Sequence, residues 1–296
     1  MLPKIYNYMF WFSIILALAS IISISIYGLN LGVDFKGGTV LDIEFTQERP
    51  EISAIQNVSF LKETVINSSG DSGIIIRTGQ ITEQEHQDIL LGLQSTFPES
   101  GIQENKFDSV GPIIGNELKS KSLKAIVLVL LAITLYMTIV FRRISDIVPS
   151  WVMGVAALIA LLHDLIIPTG VFAWLGYYYG VEISAVFVAA VLTVLGYSVS
   201  DSVVVFDRIR ENIIRDGNRS NFGAVVHESI MQTLTRSLNT TFTTLLALVA
   251  IYFFGGESIK YFALALIMGI FFGAYSSIFV ASPVLVWVYN RKRRNV

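Results

Sequence analysis

Six apolar runs long enough to cross a lipid bilayer recur along the chain, at residues 8–29, 123–141, 148–177, 183–206, 237–254 and 261–289. Each comes close to or exceeds the roughly 20 mainly apolar residues of a spanning helix. The third and sixth are long for one crossing, so tilt or continuation into the interface is expected. The first resembles a signal peptide, and Ala17-Leu18-Ala19 resembles a cleavage site. The apolar run continues through Ile26, which puts that site inside the run and predicts an uncleaved helix.

Between the first two runs the pattern changes. "TVLDIEFT" (39–46) alternates apolar and polar residues and predicts a strand, as does "SGIIIRTG" (72–79). Residues 51–67 carry Ile52, Ile55, Val58, Leu61 and Val65 at helical spacing. Thr82 precedes a helix over 83–97, with Glu85 placed for a capping box. Residues 104–110 read as a further strand. Strands alternating with helices over so short a stretch predict a small α/β sandwich of the ferredoxin-like kind. His86 falls among polar helix residues and is expected to be exposed. The fold expected is an α-helical polytopic membrane protein with six transmembrane helices and one small α/β domain. Its divisions are an N-terminus and first span (1–29), the α/β domain (30–122), a five-span bundle (123–290) and a basic tail (291–296).

Composition agrees: 53% of the 296 residues are hydrophobic and 15% charged, with a mean hydropathy of +0.62. Soluble domains are about a quarter charged. Residues 34–117 hold 14 acidic and 5 basic residues, net −9, while the rest holds 9 and 16, net +7. An acidic soluble part with basic membrane flanks fits a protein that meets both sides of a membrane.

Positive charge sets the orientation. Arg142 and Arg143 lie between spans two and three. Arg208, Arg210, Arg215 and Arg219 lie between spans four and five, and Arg291, Lys292, Arg293 and Arg294 follow span six. The opposite loops hold Glu182 in one case, and Glu257 with Lys260 in the other. Both termini are therefore expected in the cytoplasm and residues 30–122 outside it. Lys119, Lys121 and Lys124 end a long loop, and long loops translocate regardless of such charges. The basic tail reads as a topology anchor, and no nucleic-acid partner is expected. The chain has no cysteine, which excludes disulfides and thiolate metal sites. No phosphate-binding loop appears, so ATP use by this chain is not expected.

Asp201 lies inside the fourth run. A central Asp costs about 2.5–3.5 kcal/mol of insertion, which several Leu, Ile or Val at about 0.3–0.6 each can offset. Intramembrane carboxylates face a partner, a cavity or an ion path. Thr193, Tyr197, Ser200 and Asp201 share one helical stripe, and Arg236, Asn239, Thr240, Thr243 and Thr244 share another on span five. A nearby guanidinium favours the ionised carboxylate and burial the neutral one, and a group under both influences can exchange protons. Asp201 as interhelical glue and Arg236 as an interface anchor are the plainer readings. His163 and Asp164, before Pro168, form either a second relay element or a buried pair that orders the helix. Gly269, Gly273 and Ser277 form a small-residue stripe suited to close helix packing. The surroundings of the two Asp residues do not resemble an intramembrane aspartyl protease, and no enzyme is expected.

Four motifs together carry a resemblance. "GVDFKGGT" (32–39), "GPIIGNEL" (111–118), "GYSVSDSVVVFDRIREN" (196–212) and "RSLNTTFTTLL" (236–246) resemble the SecF family of bacterial protein export, in order and over the whole chain. That family usually shows Asn and Thr where Ser200 and Ser202 flank Asp201 here. The resemblance implies half of an RND-type transporter in the inner membrane, with SecD supplying six further spans. It also implies association with the SecYEG channel and YajC, a translocating preprotein as substrate, and the proton gradient instead of a cofactor. Asp201 then matches the family's proton-conducting Asp and Arg236 its functional Arg. A small-molecule or lipid exporter of the RND type and a non-conducting scaffold are the alternatives. The single small outer domain speaks against the first.

Overall fold

The computed structural model describes residues 2–58, 61, 64–144, 148–216 and 221–294. In chain order the elements begin with α1 (Lys4–Tyr27), α2 (Val33–Lys36), β1 (Gly38–Phe45), α3 (Ile52–Gln56), β2 (Val65–Ser69) and β3 (Gly73–Thr78). There follow α4 (Glu83–Thr96), β4 (Ile102–Val110), α5 (Pro112–Val140), α6 (Ser150–Tyr179), α7 (Ala185–Asp216) and α8 (Phe222–Phe254). The last helix runs as α9 (Glu257–Ser276), a π turn (Ser277–Ala281) and α10 (Ser282–Arg294). Two compact units result: Met1–Asn30 with Lys124–Val296, and Leu31–Leu123.

Among the described residues six helices are long and apolar enough to cross a membrane. This is a helical, multi-pass membrane protein. Its helices outrun the apolar runs that announce them. The second candidate span starts at Pro112, so Lys119, Lys121 and Lys124 stand on α5 and not in a loop. Glu117 and Lys121 pair there at 2.7 Å, one turn apart. The fifth starts at Phe222, where Asn221 caps it by accepting from the Ala224 N–H. Glu, Lys and Arg are good helix formers in water, so a helix need not stop where its apolar run does. Arg219 lies outside the described residues, as do the side chains of Arg143, Glu257, Lys292, Arg293 and Arg294.

In the helical unit α1 packs on α6 by small residues. Ser13 and Ser20 are buried, and the Ser23 hydroxyl donates to the Gly170 carbonyl at 2.7 Å. Tyr6, also buried, bonds through its hydroxyl to His227 Nδ1 at 3.0 Å. Apolar residues of α1 such as Trp11, Ile15 and Ile22 stay exposed, as a lipid-facing surface would. The core gathers Met137, Phe141, Val152, Met153, Phe206, Ile209, Val226 and Leu285 from five helices and the turn after α5.

The other unit is one antiparallel sheet in the order β2-β3-β1-β4. Along β1, Leu41, Ile43 and Phe45 point into a core with Ile74, Ile76, Ile89 and Leu93, while Glu44 points out. A bulge between Asp42 and Ile43 shifts the register with β4. The helix expected over 51–67 is instead the short α3 followed, after a gap that includes residues outside the description, by β2. Ile52, Ile55, Val58 and Leu61 do pack into or against the core, but β2 places Ile66 inward and Val65 outward, a strand's alternation. The capping box forms as expected: the Thr82 hydroxyl accepts from the Glu85 N–H, and Glu85 accepts from the Thr82 N–H at 2.7 Å.

His86 is buried, which overturns its expected exposure. It shares a helix face with Ile89 and Leu93, and its ring stacks on Phe107 with centroids 4.0 Å apart. Its two nitrogens reach Glu83 at 3.3 Å and Glu104 at 3.2 Å. The flat apolar face of an imidazole makes it an acceptable core residue when a polar edge finds a hydrogen-bond partner, as Nδ1 does at Glu83, while Nε2 is near Glu104 without a hydrogen bond. The glycines of "GVDFKGGT" meet those of "GPIIGNEL". Gly37 has φ +79°, and a Cβ there would lie 2.9 Å from Pro112 N; one on Gly115 would lie 3.0 Å from Gly37 N. The two motifs are thus halves of one tight backbone joint.

Candidate functional site

Asp201 sits midway along α7 and is 9% exposed. Its Oδ2 accepts a hydrogen bond from the Ser237 hydroxyl of α8 at 2.8 Å. Apolar residues around it on α7, such as Val205 and Phe206, are buried in the bundle core. Arg236 precedes Ser237 on α8, but its side chain is exposed, and no ion pair joins it to Asp201 among the described residues. Ser237 thus makes the direct hydrogen bond, while the exposed arginine stays near enough for its charge to act on the Asp201 carboxylate. Adjacent helical residues point about 100° apart, so Ser237 takes the contact position and Arg236 acts from beside it.

The two polar stripes meet at one place, where Tyr197 and Thr244 approach hydroxyl to hydroxyl at 3.4 Å. Thr193 and Ser200 are exposed. Asn239, Thr240 and Thr243 are exposed too, and the two threonine hydroxyls turn back to carbonyls of their own helix. Apart from Thr244, the stripe on α8 is thus exposed.

A second carboxylate is more enclosed. Asp164 of α6 is fully buried. Its Oδ2 accepts from Ser198 of α7 at 2.6 Å and from Ser276 of α9 at 2.7 Å. His163 Nδ1 lies 3.0 Å from its Oδ1. The imidazole is itself buried, stacked near-parallel on Tyr275 and edge-to-face with Phe272. Tyr275 continues the contacts to α1, donating to the Met9 carbonyl at 2.8 Å and approaching Ser13 at 3.3 Å.

Small residues bring α9 against α7. A Cβ on Gly269 would lie 2.6 Å from a methyl of Val194, and one on Gly273 would lie 2.9 Å from Ser198 Cβ. Ser277 is buried and opens the π turn; its hydroxyl donates to the Ala274 carbonyl, and its own carbonyl accepts from Ser282.

Ser198, Ser237 and Ser276 are the residues that sequence reasoning missed. Ser198 lies three positions before Asp201, within about 60° of it on the helix surface, and so was open to discovery from spacing. Ser237 was the immediate neighbour of a residue singled out for its charge. Nothing local distinguishes Ser276 from other small residues of its span. Among the described residues no group of three His, Asp or Glu is placed to hold a metal.

A model of the SecD/SecF protein-export membrane protein C-terminal family matches residues 93–291, and one of the SecD/SecF GG motif matches residues 22–48. A protein translocase subunit SecF from Thermobaculum terrenum is 40% identical over 295 residues, covering 94% of this chain and 90% of that one. Another from Anaerolinea thermophila is 36% identical, covering 98% and 94%. A crystal structure of SecDF, a translocon-associated membrane protein from Thermus thermophilus, is similar with a TM-score of 0.81 at 32% identity. It covers 96% of this chain, which spans only 38% of that longer one. SecDF in a super-membrane-facing form gives a TM-score of 0.69 at 31% identity.

Proposed function

This chain belongs to the SecD/SecF family of protein-export membrane proteins, and on that premise we propose that it is the SecF-type half of a proton-driven motor. It pairs with SecD and uses the proton-motive force to promote late steps of preprotein translocation through SecYEG, with YajC as a further associate. The observation that carries the reading is Asp201, a buried carboxylate in an apolar helix whose hydrogen bond crosses to α8.

Chemistry follows from that bond. The ionised carboxylate accepts from the Ser237 hydroxyl. Once protonated it needs the donor less, and the hydroxyl can turn to a carbonyl of its own helix, as Thr240 and Thr243 already do. Proton uptake thereby loosens the bond between α7 and α8, and release restores it. Each charge moved across 100 mV supplies about 2.3 kcal/mol, comparable with a few such interhelical bonds at about 0.6 kcal/mol each. Arg236 modulates the charge state from the exposed face.

Arg236, Asn239, Thr240 and Thr243 present a polar face that hydrocarbon would not solvate, and SecD is its natural cover. The matched SecDF chain, more than twice as long as this one, is consistent with a second half that supplies it. The β-α-β-β-α-β order and the β2-β3-β1-β4 sheet support a ferredoxin-like outer domain. Arg142, Arg208, Arg210, Arg215 and Arg291 support an inner-membrane topology with both termini in the cytoplasm and that domain in the periplasm.

The test is Asp201→Asn at matched membrane levels in cells depleted of the native protein. Pulse-chase of a secreted precursor should show export slowed with assembly intact. Export at the unsubstituted rate would take the role from Asp201.

A further inference from the structure

The buried centre at Asp164 joins three helices, and the joint stands where two of them are irregular. Pro168 lacks an N–H, so the Asp164 carbonyl one turn back loses its helical donor. Ser276 is the last residue of α9 before the π turn. π turns of this kind interrupt the regular ladder and are frequent at functional sites. Between the two irregularities Asp164 Oδ2 collects the hydroxyls of Ser198 and Ser276. Gly273, without a side chain, lets α9 come close enough to Ser198 for one oxygen to serve both.

Ser198 lies one turn before Asp201 on α7. The helix that carries Asp201 is therefore held on one side by Asp164 and on the other by Ser237. These bonds do not chain the two carboxylates together: Ser198 bonds to Asp164, and Ser237 to Asp201. Ser276 also has an alternative acceptor, the Gly273 carbonyl at 3.1 Å, so its grip on Asp164 can be released without orphaning the hydroxyl.

We propose that Asp164 is a positioning residue: a carboxylate clasp that fixes the rotation of α7 against α6 and α9 and so presents Asp201 to Ser237. It acts as a hydrogen-bond acceptor and carries no proton through the membrane. The inference rests on the proton-carrier reading of Asp201 only for its functional consequence; the clasp itself is a matter of helix packing.

The distinction is testable because asparagine keeps the acceptor and loses the titration. In Asp164→Asn the amide oxygen takes both serine hydroxyls and the NH2 faces His163 Nδ1. In Asp164→Leu no acceptor remains. The cysteine-free chain allows spin labels at Ile214→Cys on α7 and Trp287→Cys on α10, both exposed positions. The full chain would be reconstituted with SecD, and the label distance and proton flux measured. Asp164→Asn should keep an unchanged distance distribution and flux within twofold. Asp164→Leu should broaden the distribution and lower flux at least tenfold, although Asp201 and Ser237 are intact. Ser276→Ala, which removes a single donor and is a milder change, should broaden it to a lesser degree and covers the case in which the leucine variant does not assemble. Flux abolished in Asp164→Asn with the distances unchanged would overturn the proposal and make Asp164 a proton carrier. Unchanged distances in both Asp164→Leu and Ser276→Ala would overturn it as well. The distance arm involves no proton movement, so it decides the clasp even if Asp201→Asn leaves flux untouched and the proton-carrier reading falls.

Discussion

Two glycines in the spanning helices should respond oppositely to one added methyl group. At Gly170 of α6 a Cβ would sit 2.5 Å from Ser20 Cα and 2.8 Å from Ser20 O of α1. Ordinary contacts of a Cβ lie at 3.4–4 Å. The crowding atoms are Ser20 Cβ, which cannot swing away, and the backbone Cα and O, so α1 and α6 must separate by roughly 1 Å, an overpacking that costs about 1–3 kcal/mol. Separation also strains the Ser23 bond to the Gly170 carbonyl, worth about 0.6 kcal/mol within a membrane. Alanine returns about 0.5–1 kcal/mol of helix propensity. Gly170→Ala should therefore destabilise the helical unit by about 1–3 kcal/mol. At Gly196 of α7 nothing among the described residues lies within 4 Å of the added carbon. Only the propensity gain is left, so Gly196→Ala should be neutral or stabilising by up to about 1 kcal/mol. Reversible unfolding of the purified chain in mixed micelles, followed by tryptophan fluorescence, measures both. A neutral Gly170→Ala, or a Gly196→Ala as damaging as Gly170→Ala, would refute the close α1–α6 approach from which the signs were worked.

The α/β unit offers three further checks. Thr82→Ala removes the cap of α4 and should cost about 1 kcal/mol, read as faster amide exchange in the first turn of that helix. The Glu85 carboxyl is held below its ordinary value of 4.5 chiefly by the Thr82 N–H and then by the Thr82 hydroxyl. Its contribution is thus complete above 4.5 and is lost as pH falls through the lower folded value, so the protection of that turn, measured against the intrinsic exchange rate at each pH, should fall on acidification, with a weaker dependence in Thr82→Ala. His86→Ala should lower the unit's stability by at least the about 0.5–1.5 kcal/mol of a stacked ring pair; an unchanged unfolding midpoint would return the imidazole to the surface.

The spans could be read from the sequence because a bilayer makes a blunt demand, a minimum length without charge. Their ends could not, since the polar turns of α5, α7 and α8 beyond the apolar runs continue as helix on the strength of Lys, Glu and Arg. In the α/β unit β1 announced itself by alternation and β3 by a β-branched run, while β4 was read as a strand on weaker grounds. β2 did not: Val65 continued a helical spacing set by Ile52, Ile55, Val58 and Leu61, and the strand that holds it is five residues long. A segment so short gives the two periods too few positions to differ. His86 failed for another reason. Its helical register matched Ile89 and Leu93, but the residue was weighed by its polar neighbours in sequence and not by its face.

The carboxylates of the candidate site were legible and their partners were not, and both facts have one cause. An Asp in an apolar helix is conspicuous because its insertion costs more than any other residue of the run. A serine there costs little, since its hydroxyl can satisfy itself on the preceding turn, as Ser229 does on the Val225 carbonyl. Spanning helices can therefore carry many serines, and sequence alone does not say which will reach across. What selects Ser198, Ser237 and Ser276 is the rotation of each helix about its axis. Gly269 and Gly273 fix that rotation for α9 against α7, and the π turn resets it just beyond Ser276. A π turn changes the angular position of every later residue without any signal in the hydrophobic pattern. Arg236 shows the same limit from the other side: its charge drew attention to the right turn of α8, and the rotation of that turn gave the contact to Ser237.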